Sequence, residues 1–162
     1  MLPVPVYFAI LLACWAYSLW RGGGPEKIGA SIIGIGSILS EALVSAAPIR
    51  FSGVEMGVFA VDVATLVACV ALALVAERFW PLWVAALQLI GTAGHAVKLV
   101  DASIIRLAYA IILAFWTYPM LLLIVVGTYR HQVRLARAGD DKSWSTFFGH
   151  SEVNLRRSGR IG

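Results

Sequence analysis

MGVFAVDVATLVACVALALVA, residues 56–76, decides the fold class: it holds a single charge, Asp62, and no proline. A helix of this length rises about 31 Å, enough to cross a hydrocarbon core of roughly 30 Å. Barrel strands alternate apolar and polar residues, and this stretch does not. Four further apolar stretches lie outward from it, at residues 3–20, 28–47, 81–99 and 104–129. The whole chain of 162 residues is 60% apolar with 14% charged residues, and its mean hydropathy is +0.83. Soluble domains carry roughly 25% charged residues. The expected class is all-α: a polytopic integral membrane bundle of five transmembrane helices in one domain over residues 1–129. A basic tail, residues 130–162, follows.

The connections leave no room for a soluble domain. RGGGPEK (21–27) breaks the first stretch from the second, and Pro48 closes the second. No Lys or Arg precedes Arg21, so the first stretch is expected as a retained helix, not a cleaved signal. Seven of the thirteen Lys and Arg residues follow Tyr129. The positive-inside rule therefore puts the C-terminus in the cytoplasm and, over five spans, the N-terminus outside. Arg21, Lys27 and Arg78 then join the inner side, against Arg50, Lys98 and Arg106 outside. Trp15, Tyr17, Trp20, Trp80, Trp83 and Tyr129 all fall near the expected inner interface, where amphipathic rings collect. The expected location is a bacterial cytoplasmic (inner) membrane, multi-pass.

The tail accounts for the net charge of +4, because the first 129 residues carry six charges of each sign. YRHQVRLARAG (129–139) reads as an extension of the fifth helix stopped at Gly139. Arg130, Arg134 and Arg137 are expected to lie at the membrane surface. SWSTFF (143–148) is expected to lay Trp144, Phe147 and Phe148 into the interface or onto a partner. His131 and His150 count as tail residues. Without a nucleic-acid-binding motif, the basic charge does not point to nucleic acid.

Three expected spans each carry one polar stripe. In KIGASIIGIGSILSEALVSAAP (27–48), Ala30, Gly34, Ser37, Glu41 and Ser45 recur every three or four residues. Small residues at that spacing let another helix approach closely in lipid. Asp62, Thr65 and Cys69 share a face in the third span; Gln88, Gly91, Thr92, His95 and Lys98 share one in the fourth. An ionised group facing lipid at mid-bilayer costs about 2.5–3.5 kcal/mol on insertion scales, so the stripes should face inward. Counting from the span midpoints puts Glu41, Asp62 and His95 at one level, roughly 5–8 Å to the outer side of centre. Lys98 stands one turn farther out, Tyr109 enters from the same side, Gly91 and Gly94 are expected on a packing face that leaves space beside His95, and Asp101 is expected to cap the fifth helix. Pro119 is expected to kink that helix. Cys14 and Cys69 read as apolar fillers.

Three functions fit these features. The leading reading is a non-enzymatic accessory, assembly or scaffolding subunit of a larger membrane complex. Its partners are the lipid bilayer and other membrane subunits or further copies of the chain; Glu41, Asp62, His95, Lys98 and Tyr109 fix the bundle, and no cofactor or metal is involved. The second is a proton- or ion-coupled transporter using Glu41, Asp62 and His95. The third rests on Gly91 and His95: this spacing is similar to that in light-harvesting polypeptides, which implies a tetrapyrrole, bacteriochlorophyll or haem, on His95. HExxH, GxSxG and Walker motifs are absent from the sequence, which argues against an enzyme.

Overall fold

A computed structural model describes residues 4–46, 56–100, 115–139 and 144. Five helices hold most of them: α1 Val4–Arg21, α2 Gly24–Ala46, α3 Met56–Val75, α4 Trp80–Val100 and α5 Thr117–Ala138. Among the described residues there is no strand, and α3 is the one helix long and apolar enough to cross a membrane, with a mean hydropathy of 2.6. Residues 101–114, including Asp101, Arg106 and Tyr109, lie outside the described residues. So do Arg50, Phe147, Phe148, His150 and the side chains of Ser45 and Lys98.

Proline and glycine set the helix limits. Pro25, Pro81 and Pro119 each fall in the first turn of a helix, where a missing N–H leaves no intrahelical bond unmade. Phe115 is helical and Trp116 a turn, so the helical run is interrupted just before Pro119. The other end of α5 stops at Gly139, whose φ of 72° is left-handed and whose N–H donates to Leu135 O at 3.0 Å.

Consecutive helices run antiparallel, so α1, α3 and α5 end where α2 and α4 begin. That end is here called proximal and the opposite one distal. Neighbours in sequence pack together, α5 closes the ring against α1 and α4, and α2 also touches α5. The α2–α3 register is fixed by close contacts. Gly36 faces Thr65 and Gly57 faces Leu43, so a methyl group on Gly36 would stand 2.6 Å from Thr65 Oγ1.

The centre is held by Leu11, Ile33, Leu72, Val84, Leu121 and Ile124, with Trp80 at its proximal edge. The Trp80 indole lies between two helices that carry no side chain there. A methyl group on Gly29 of α2 would stand 2.5 Å from Cη2, and one on Gly127 of α5 would stand 2.8 Å from Cδ1. A rigid ring wedged between backbones sets the separation of α2, α4 and α5.

The distribution of polarity is inverted relative to a water-soluble bundle. Ser18, Glu26, Thr65, Gln88, Thr92, His95, Thr128 and His131 are buried, whereas Val67 and Leu74 of α3 and Leu122 of α5 are more than 60% exposed. The exposed charged side chains among the described residues are Arg21, Lys27, Glu77, Arg130 and Arg137, all at the proximal end. Exposed Trp20, Phe79, Trp83 and Tyr129 stand at the same end.

The clamp on Trp80 gives a direct contrast. Gly29→Ala and Gly127→Ala should each lower stability by about 1–3 kcal/mol, the usual cost of overpacking. Gly91→Ala meets nothing within 4 Å and should be neutral or slightly stabilising. Thermal unfolding of the three variants beside the parent protein checks both halves.

Candidate functional site

Two groups of titratable side chains are buried in the bundle, one towards each end. The distal group begins with Asp62, placed on α3 one turn before Thr65, and His95, placed on α4 one turn after Thr92. Their face-to-face positions bring His95 Nε2 to 2.8 Å from Asp62 Oδ2. His95 is 1% exposed, and the Phe59 ring covers it with centroids 5.6 Å apart. Gln88 Nε2 donates to Asp62 O at 3.4 Å, and Thr92 Oγ1 donates to Gln88 O at 2.8 Å. This last bond returns the threonine hydroxyl to its own helix, satisfying it without a partner helix.

Of the polar residues expected to converge here, Asp62 and His95 meet. Glu41 is half-buried on α2, two residues beyond the position facing Asp62 in the α2–α3 register, which amounts to about 3 Å along the axis. Among the described residues no three His, Cys, Asp or Glu side chains converge as a metal site, so Glu41 completes no such set with the pair. Gly91, expected on a packing face, has open space where its side chain would be, while Gly34 packs on the Trp15 ring and Ser37 accepts from Tyr7 Oη at 3.0 Å. His95 Nε2 is committed to Asp62, so the nitrogen an axial tetrapyrrole bond would use already has a partner.

The proximal group is built on Glu26. Its side chain is fully buried; Trp80 Nε1 donates to Oε1 at 3.2 Å, and Arg78 Nε lies 3.6 Å from the same oxygen. Oε2 is buried with no hydrogen-bond partner and lies beside Gly23. A methyl group there would stand 3.0 Å from Oε2 and 3.1 Å from His131 Nε2, so a glycine is what lets the carboxylate and the imidazole share the space. His131 is buried, not a surface residue of the tail. Ser18 and Thr128 hydroxyls lie 3.1 Å apart just inside, and Gln132 donates to Arg21 O.

The tail residues divide in the same way. Arg130 and Arg137 are exposed, but Arg134 is half-buried, because one turn of helix carries it to the His131 face. Trp144 pairs its backbone with Ala76 and sets its indole over Gly24, closing the proximal end. Cys14 and Cys69 are unpaired thiols.

Sequence reading missed Glu26, Arg78 and His131 as internal groups. The signal was present for two of them. Glu26 stands four residues before Ala30 and extends the α2 stripe by one turn; Ile124, Thr128 and His131 form an equivalent stripe on α5. Arg78 carries no such signal, since it lies between helices and only the fold turns it towards Glu26. Comparison with protein-family models, curated proteins and solved structures finds no match to this chain.

Chemically, each end sets an acid beside an imidazole; Glu26, His95 and His131 are buried, and Asp62 is half-buried. Between them the core is apolar at Ile33, Leu72, Val84 and Ile124. Two measurements follow. A double-mutant cycle of Asp62→Asn and His95→Gln should give a coupling of about 0.5–3 kcal/mol in unfolding free energy, as for groups in contact. Trp80→Phe, which removes the donor to Glu26, should cost about 1–3 kcal/mol, and less when Glu26→Gln is already present.

Proposed function

We propose that this chain is a multi-pass protein of the bacterial cytoplasmic membrane, acting as a non-enzymatic accessory, assembly or scaffolding subunit of a larger membrane complex. The observation that carries the reading is the inverted polarity: among the described residues, hydroxyl, amide and charged groups lie inside, large apolar side chains outside, and the exposed charges at the proximal end. In water such a surface would aggregate, whereas in lipid it is the ordinary arrangement. The proximal aromatic side chains and the basic Arg21, Lys27, Arg130 and Arg137 suit an interface with anionic headgroups on the cytoplasmic side. An accessory role follows from the enclosed polar groups, which hold one another, and from the broad apolar flank of α3 left for a neighbouring subunit or a second copy.

A second reading is favoured by one contact. The 2.8 Å contact of Asp62 with His95 brings together two of the three side chains that a proton- or ion-coupled transporter would use, with Glu41 farther along α2 as the third.

The accessory reading predicts that gently solubilised protein is recovered with partner subunits or as a homo-oligomer in native mass spectrometry; a lone monomer overturns it. The carrier reading predicts that proton uptake in proteoliposomes is lost in Asp62→Asn and His95→Gln, whereas a structural pair lowers stability with no flux to lose.

A further inference from the structure

A surface groove of about 480 Å³ runs between α2 and α3. Ile28, Ile35 and Leu39 wall it on one side and Val61, Ala64 and Ala68 on the other, and Lys27 stands at its proximal end. Its floor is the close Gly36–Thr65 contact, which denies it depth. From Lys27 to Leu39 the helix rises roughly 18 Å, close to the ~15 Å of one leaflet's hydrocarbon. With the two helices in contact along its floor, the seam suits an extended chain lying along it.

Charge identifies the head of that chain. Lys27 is exposed, while the adjacent Glu26 is turned inward and held by Trp80 and Arg78, so the neighbouring carboxylate does not cover the groove's mouth. Glu77, exposed just beyond the end of α3, does not line the groove. The positive end of the α2 macrodipole lies at the same place.

We propose that this groove binds an anionic phospholipid, with one acyl chain along the α2–α3 seam and the phosphate on Lys27. The inference rests on the membrane reading above. It makes the groove a selective lipid site on a flank that otherwise meets bulk lipid.

The test has two stages, both with full-length protein. Flotation with phosphatidylcholine vesicles containing phosphatidylglycerol comes first; failure to float overturns the membrane reading and this proposal together. Native mass spectrometry then follows equilibration with equal amounts of the two lipids. Phosphatidylglycerol should be retained about fivefold over phosphatidylcholine, equivalent to the ~1 kcal/mol of one basic side chain near an anionic surface. Lys27→Gln should abolish the preference, and Lys27→Arg should keep it. Ala64→Leu, at an exposed position, should reduce retention of both lipids by occupying the seam. A protein that floats but shows no preference, or a Lys27→Gln variant that keeps it, overturns this proposal alone.

Discussion

The arrangement of the bundle depends on one side chain. Trp80 begins α4, fits its ring between Gly29 and Gly127, and gives its indole N–H to the buried Glu26. Three helices are thereby held at distances that no larger residue at either glycine would allow. The same contact satisfies one oxygen of a carboxylate that would otherwise be buried without a donor, an expensive state in any low-dielectric interior. Packing and polar satisfaction are therefore coupled at this point: moving the ring to relieve a clash also removes the hydrogen bond.

Farther from Trp80, the bundle uses weaker devices of the same kind. Thr92 and Thr128 direct their hydroxyls to carbonyls of their own helices, Tyr7 and Trp15 donate to serines of α2, and Asp62 pairs with His95. Each places a polar group inside while leaving the outer faces to Val, Leu and Ile. In the membrane proposed for it this distribution would be economical, because in lipid the internal contacts are won by close approach and hydrogen bonding instead of by expulsion of water. The proposed lipid groove is one consequence of close approach: where Gly36 meets Thr65 the helices touch, and the larger residues on either side form walls.

How much of this was legible beforehand depended on whether the signal was periodic. The stripe through Ala30, Gly34 and Ser37 could be read from spacing, and Gly34 and Ser37 do meet Trp15 and Tyr7 across the α1–α2 contact. The shared depth of Asp62 and His95 could be estimated from span midpoints. Glu26 and His131 read locally as loop and tail residues because each lies among charged or turn-forming neighbours, although each also continues a buried stripe. Helical phase outweighed local composition in both cases.

By itself the sequence determined the helical class, the apolar length of α3, the stop at Gly139 and the separation of basic from apolar segments. These follow from local rules: helical rise, the missing N–H of proline, the left-handed freedom of glycine and the distribution of charge along the chain. Only the tertiary structure decided which polar groups meet. Arg78 reaching Glu26, Trp80 lying between two glycines from other helices, and Trp144 returning to Gly24 are contacts between residues far apart in the chain. Their geometry is set by how helices rotate about their axes when packed, a quantity that no single helix carries in its own sequence.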